Sequence, residues 1–189
     1  MTWLKAESIR TSSFVCGFCG EKISSQLGYL RDREVDKIYI CHCCDCPNVF
    51  FSDSQYPGEQ FGNNVENLPE NIESLYDEAR ECVGIQAYAA TVMECRKILM
   101  HIAVEKGAKE GESFKQYVEY LDSKGYVPPD GKEWVDHIRD IGNVANHEIR
   151  IMVEENAKDL ITFLEMLLKF IYEFPGKITK RTSKKLSSE

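Results

Sequence analysis

Cys16-Gly-Phe-Cys19 lies near the start of the chain, and a second C-x-x-C motif, Cys41-His-Cys-Cys44, follows after 21 intervening residues. This is close to the spacing of a four-thiolate zinc site, because two residues between paired thiolates let one tight turn present both sulfurs to a tetrahedral ion. The intervening segment is long enough for a hairpin that returns the second pair to the first. The spacing predicts a small zinc-ribbon-like β element over residues 1–51, with a structural zinc ion held by Cys16, Cys19, Cys41 and Cys44.

The choice of ligands in the second motif stays open, because Cys43 and Cys46 form another C-x-x-C pair in the same string. We favour the pair that ends at Cys44, since Asp45 then follows it as Gly20 follows the first motif, and both residue types tolerate a turn. The alternative to a metal site is a set of buried or disulfide-linked cysteines.

Composition bounds the class of protein. The 189 residues are 43% hydrophobic, allow one substantial domain with a small appendage, and contain no apolar run that approaches the roughly twenty residues of a membrane span. The first fifty or so residues are too few and too polar for a core of their own, which favours a metal-held element. Residues Met1 to Arg10 lack the apolar run of a secretory signal, so a reducing cytoplasm is the expected setting. The formal net charge of -8 argues against a protein that coats nucleic acid nonspecifically.

Turn and helix signals divide the rest of the chain. Prolines, glycines and asparagines between residues 52 and 69 predict a linker, and helical patterns follow from residue 70 to residue 176. The dipeptide Pro175-Gly176 is expected to end the last helix. Residues 177–189 form a basic tail, which we expect to be either a solvated end or a contact with nucleic acid or another acidic partner.

Long helices joined by short loops predict an antiparallel bundle of four to five helices. The broad apolar faces of the second and last helices exceed what a small bundle needs to bury, so we expect the domain to form a homodimer. Strands are expected at residues 37–40 and 49–51, and helices at residues 70–82, 85–106, 113–123, 132–146 and 154–174.

The fourth predicted helix carries the most unusual polar residues of the chain. Arg139, Asn143 and His147 are spaced i, i+4 and i+8, so one helix face presents a cation, an amide and an imidazole in a row. Arginine can hold a phosphate bidentately, histidine can move a proton near neutral pH, and asparagine can orient either group. This combination suits a phosphodiester. The alternative is structural: Arg139 pairs with an acid such as Glu94, and the other two side chains bond the helix ends.

Several stretches, taken together, resemble a known family. They are the two cysteine motifs, the start of the helical region at Leu75-Tyr-Asp-Glu-Ala79, and the segments 89–99, 138–147 and 168–175. The chain resembles a bacterial family known as domain of unknown function family 4145, of the HEPN helical superfamily. The resemblance implies a HEPN-like bundle of four or five helices, frequently paired as a homodimer. Many HEPN members are metal-independent ribonucleases of toxin–antitoxin, abortive-infection or phage-defence systems.

The resemblance also implies roles for the polar stripe. Arg139 would bind the phosphate, His147 would transfer the proton, and Asn143 would be the polar helper. Seven residues lie between Arg139 and His147, one more than the superfamily motif allows. HEPN domains without activity act as nucleotide-binding or scaffolding modules.

Two hypotheses therefore stand side by side. The first is a metal-independent RNA-cleaving effector of bacterial or phage conflict, whose zinc element recognises a substrate or a protein partner of a defence system. The second is a noncatalytic dimerising module that binds a nucleotide, RNA or a protein partner and uses zinc structurally. A carboxylate paired with Arg139 inside one bundle would favour the second hypothesis, whereas a basic cleft shared by two copies would favour the first.

Overall fold

The structure is a computed structural model that describes residues 3–31, 36–52, 54–127, 132–147 and 151–186; for residues 132, 142–147 and 182–186 it describes the backbone alone. The chain divides into two compact units. We call the first the ribbon unit, which comprises Met1–Phe61 and Glu81–Gln86, and the second the helical unit, which comprises Gly62–Arg80 and Ala87–Glu189.

The ribbon unit contains an antiparallel sheet of five described strands whose order in the sheet follows their order in the chain. The strand predicted at residues 37–40 is confirmed, and the one predicted at 49–51 begins two residues earlier. The strands are β1 (Glu7–Val15), β2 (Lys22–Leu30), β3 (Lys37–Ile40), β4 (Pro47–Phe51) and β5 (Ser54–Tyr56).

A small core fills one face of this sheet, so the expectation that the first fifty residues lack one is wrong. Phe14 of β1 lies opposite Ile23 of β2, and Tyr39 of β3 is 2% exposed. The ring of Phe50 packs edge-on against Phe14, with centroids 5.2 Å apart, and against Tyr39 at 5.6 Å. Because side chains alternate between the two faces of a strand, a few aromatic residues on one face are enough to form this core. Cys16 and Cys41 belong to the same buried cluster.

The prediction that helices follow the cysteine-bearing β element is confirmed, because the described helices begin at Glu70. The described helices are α1 (Glu70–Gly84), α2 (Tyr88–Glu105), α3 (Phe114–Ser123), α4 (Lys132–His147), α5 (Glu154–Leu168) and α6 (Phe174–Leu186), and a π-helical turn, Lys169–Glu173, joins the last two. Ser113 caps α3 in a capping box, because its Oγ accepts from the Gln116 N–H while its own N–H donates to Gln116 Oε1.

The core of the helical unit is built around α2, which packs against α3, α4 and α5. Leu99 and Ile102 of α2 are completely buried, as are Leu121 of α3 and Leu164 of α5. Each such side chain contributes roughly 1.5–3 kcal/mol through burial. This core fixes the position of α4, which carries the polar residues singled out by the sequence.

The prediction that Pro175-Gly176 ends the last helix is wrong, since α6 continues to Leu186. Pro175 falls in the first turn after the π-helical segment, where a helix tolerates a residue without an N–H. At Gly176 a Cβ atom would come within 2.7 Å of the Asn67 side chain, so glycine permits a close approach between α6 and the loop residue Asn67. Tertiary contacts thus override a local stop signal.

Candidate functional site

The four cysteines favoured as ligands come together in the ribbon unit. All four sulfurs lie within 4.8 Å of one another, with Cys16 Sγ 3.7 Å from Cys44 Sγ and Cys19 Sγ 3.7 Å from Cys41 Sγ. A zinc–thiolate bond of about 2.3 Å gives a tetrahedron with edges of about 3.8 Å. The two 3.7 Å separations match that edge, and the other four are at most 4.8 Å, so the cluster is compatible with a tetrahedral metal site.

The two knuckles share one backbone geometry. The N–H of Gly20 donates to the Cys16 carbonyl at 2.9 Å, and the N–H of Asp45 donates to the Cys41 carbonyl at the same distance. Gly20 has φ +72° and Asp45 has φ +58°, a left-handed conformation that glycine and aspartate adopt more readily than most residues. The turn-tolerant residue expected after each motif is therefore confirmed, and it closes the turn that aims two sulfurs at one point.

Cys43 and Cys46 lie outside this cluster. The Cys43 side chain is exposed, and the backbone nitrogen of Cys43 lies 3.4 Å from Cys41 Sγ. The thiol of Cys46 donates to the Cys44 carbonyl at 3.5 Å. Of the two pairings left open by the sequence, the structure brings together Cys41 and Cys44 with the first motif.

Asn48 and Gln55 support the site, and neither was predicted from the sequence. The Asn48 side chain is completely buried; its Oδ1 accepts from the Gly17 N–H at 2.9 Å, and its Nδ2 lies 3.4 Å from Cys16 Sγ. Gln55 Nε2 donates to the Val15 carbonyl at 2.7 Å and approaches Asn48 Oδ1 at 3.3 Å. A polar residue inside the apolar strand that follows the second motif is the signal that could have pointed to Asn48.

The environment favours a thiolate at Cys16 before any metal binds. Burial raises the pKa of this thiol, but hydrogen bonds from the Cys19 N–H, the Asn48 amide and the Phe18 N–H outweigh burial and lower the pKa to about 7. Burial raises the pKa of Cys44 and, less strongly, that of Cys19. Metal ligation requires deprotonated sulfurs, so the ion itself must displace the protons from the cysteines whose pKa is raised.

The second candidate site concerns α4 of the helical unit. Arg139 pairs with Asp136 of its own helix, Nη1 to Oδ1 at 2.7 Å, and with Glu119 of α3 at 3.3 Å. Its side chain is 21% exposed, and its buried Nε has no hydrogen-bond partner among the side chains that the structure describes. The arginine therefore has the carboxylate partner expected on the structural interpretation, although the acid is Glu119 rather than Glu94.

The other members of the predicted catalytic stripe fall outside the described side chains. Asn143 and His147 lie within α4, whose backbone the structure describes, but their side chains belong to residues 142–147. The predicted arrangement of Arg139, Asn143 and His147 as a catalytic group stays a prediction.

Within the described parts of the chain, every helix is too short or too polar to traverse a bilayer.

Comparisons with known proteins identify the family of the chain. No curated protein matches the chain, and no solved structure matches it either. A family model described as "Domain of unknown function (DUF4145)" matches residues 77–188, which is more than half of the sequence. The chain therefore belongs to the DUF4145 family.

Proposed function

We propose that the ribbon unit is held together by one structural Zn²⁺ ion bound to Cys16, Cys19, Cys41 and Cys44. The observation that carries this proposal is the convergence of the four sulfurs, all within 4.8 Å of one another and two pairs of them 3.7 Å apart. A complete set of four protein ligands leaves no position for water or substrate, which is typical of structural rather than catalytic zinc. The small aromatic core of the sheet supplies part of the stability, and a bound ion would add the remainder.

We further propose that the helical unit has a HEPN-like fold and serves as a noncatalytic module, which dimerises and binds a nucleotide or a protein partner. Membership of the family supports the assignment of the fold. The ion pairs of Arg139 with Asp136 and Glu119 support the absence of catalysis. The two carboxylates offset the positive charge of the guanidinium, and they would also repel an RNA phosphate that approached it.

An RNA-cleaving effector of a bacterial or phage-defence system is the second candidate. One observation favours it: among the residues whose side chains the structure describes, the buried Nε of Arg139 has no hydrogen-bond partner, so one donor of the guanidinium is unused. In that case Arg139 would bind phosphate, His147 would act as general acid/base and Asn143 would orient one of them. No metal would be needed, because an RNA 2′-hydroxyl would be the nucleophile.

A cleavage assay and thermal melts distinguish the two candidates. Wild-type protein is incubated with total RNA with and without a chelator too dilute to strip the zinc, beside the variants Arg139→Ala and His147→Ala. The noncatalytic proposal predicts no cleavage by any of them and a Tm lowered by several degrees in Arg139→Ala, since a partly buried ion pair and its packing are lost. Lys97→Ala is the matched control, because Lys97 is 71% exposed and its ion pair with Glu94 measures 4.0 Å.

Cleavage by the wild type that leaves 2′,3′-cyclic phosphate ends would overturn the noncatalytic proposal. A rate lowered roughly 10²–10⁴-fold in His147→Ala, the usual contribution of a positioned proton-transfer group, would then assign the role of that residue.

A further inference from the structure

The last helix concentrates positive charge. Between Phe174 and Leu186 the sequence contains five lysine or arginine residues and no acidic residue, in a chain whose formal net charge is -8. A cationic segment on an acidic protein creates a local field that attracts polyanions, while the rest of the surface repels them.

One side of α6 is anchored to the helical unit. Glu173, at the end of the π-helical turn, accepts from the Glu66 N–H at 3.2 Å and from Lys177 Nζ at 2.6 Å. Gly176 lies against the Asn67 side chain. These contacts fix the direction of the helix, so the sides that they leave uncovered have a defined orientation.

An adjacent side of α6 and of the π-helical turn carries what we call the aromatic–cationic stripe, which comprises Phe170, Phe174, Ile178 and Arg181. The apolar members are exposed: Phe170 by 52%, Phe174 by 45% and Ile178 by 66%. The two phenyl rings meet edge-on with centroids 5.5 Å apart. Phe174, Ile178 and Arg181 are spaced i, i+4 and i+7, so the exposed Arg181 shares a helix face with the aromatic side chains.

We propose that the aromatic–cationic stripe binds a single strand of nucleic acid. Unpaired bases stack on exposed aromatic rings, and cations beside those rings contact the phosphates. This partner uses both features of the stripe at once. A duplex would use only the cations, because its bases are already stacked on one another.

The placement of charge disfavours two other occupants. A helix that lies on a membrane separates its apolar face from its cationic face, whereas here Arg181 and the phenyl rings lie on the same face. A second copy docked through the same stripe would bring the cations of two α6 helices together, and like charges repel. The inference goes beyond the proposed zinc-held module and does not depend on it, because the stripe lies wholly within the helical unit.

The test measures fluorescence anisotropy of a fluorescein-labelled oligothymidylate of about twenty nucleotides, long enough for one binding site. Full-length protein is titrated at several salt concentrations. Phe174→Ala is expected to weaken binding roughly 5- to 150-fold, the usual loss when one base–aromatic stack is removed. Phe174→Leu, which keeps an apolar side chain but no ring, is expected to weaken binding as well. Arg181→Gln is expected to make the log–log salt slope shallower by about 0.7, which corresponds to one phosphate contact.

Matched controls lie elsewhere on the helical unit. Met93→Ala removes an apolar side chain that is 45% exposed, the same fraction as Phe174. The double variant Lys97→Gln with Lys109→Gln removes two exposed cations outside the stripe. Both are expected to bind the oligonucleotide like the wild type, and circular dichroism verifies that every variant is folded.

Three results would each overturn the inference. The first is the absence of binding by the wild type, or equal binding by the wild type and the stripe variants. The second is Phe174-dependent binding to phosphatidylserine vesicles without binding to the oligonucleotide, which would assign the stripe to a membrane. The third is a dimer in light scattering that dissociates in Phe174→Ala without any oligonucleotide binding, which would assign it to a second copy.

Discussion

Replacing Asn48 with alanine would test how the ribbon unit holds its cysteines in position. The completely buried side chain accepts from the Gly17 N–H at 2.9 Å, and its amide nitrogen lies 3.4 Å from both Cys16 Sγ and the Cys46 carbonyl. Alanine removes these contacts at once. The buried Gly17 N–H loses its acceptor, and the Cys16 thiolate loses a donor that stabilises its charge.

The expected cost follows from these contacts. A buried donor left unsatisfied costs about 1–3 kcal/mol, and a hydrogen bond to a charged group contributes about 1.5–3 kcal/mol. Because the two effects share one side chain and are not additive, Asn48→Ala should lower the free energy of unfolding of the zinc-bound ribbon unit by about 2–4 kcal/mol. Asn48→Asp should weaken zinc binding further, since a carboxylate beside Cys16 replaces a donor with a second negative charge.

Two assays measure these effects. Zinc affinity is obtained by competition with a chromogenic chelator, and unfolding is followed in urea by the fluorescence of Trp3, whose Nε1 donates to the Asp45 carbonyl at 2.9 Å. A Trp134→Phe background makes Trp3 the sole tryptophan, because the chain has two. Ser13→Ala is the control, since Ser13 bonds Ser24 on the exposed side of the sheet. A change within about 0.5 kcal/mol of the wild type, with unchanged zinc affinity, would refute the role assigned to Asn48.

Two further predictions concern the helical unit. Glu165 accepts from the Asn63 N–H at 2.8 Å and pairs with Lys169; although burial raises its pKa, these partners hold the pKa below the usual range. Its stabilising contribution is complete above a pH of about 4.3 and is lost as the pH falls through the lowered pKa. On acidification the Tm of the wild type should therefore fall more steeply than that of Glu165→Gln, whereas the exposed Glu155→Gln should behave like the wild type. An equal fall in the Tm of the wild type and of Glu165→Gln would contradict this assignment. Gly176→Val should destabilise the unit by about 1–3 kcal/mol, because its Cβ meets the Asn67 side chain at 2.7 Å; a melt unchanged from the wild type would show that Asn67 moves aside without cost.

The features that the sequence predicted are those set by short-range geometry. The spacing within each C-x-x-C motif and the left-handed residue after it are local properties, so Gly20 and Asp45 could be recognised in advance. The approximate bounds of the first four helices likewise follow from periodic patterns and from the glycines and the serine at their ends, whereas the predicted end of the last helix is wrong. A metal site built from two such motifs is predictable because the spacing that defines each half is local.

The features that the sequence left out depend on residues far apart in the chain. Asn48 supports the first knuckle only because the sheet brings it to Gly17, 31 positions earlier. Glu119 reaches Arg139 because α3 packs against α4, and neither residue alone indicates the other. The strands β1 and β2 are rich in serine and other polar residues, so they lack the alternation that reveals a strand.

Metal content measured by inductively coupled plasma mass spectrometry tests the central claim, that Cys16, Cys19, Cys41 and Cys44 hold a structural zinc ion. Wild-type protein, Cys44→Ser and Cys46→Ser are purified identically and compared. One zinc ion per chain is expected in the wild type and in Cys46→Ser, and a large loss in Cys44→Ser, because Cys46 lies outside the cluster of sulfurs. Zinc retained by Cys44→Ser and lost from Cys46→Ser, or a wild-type protein that is folded and free of metal, would contradict it.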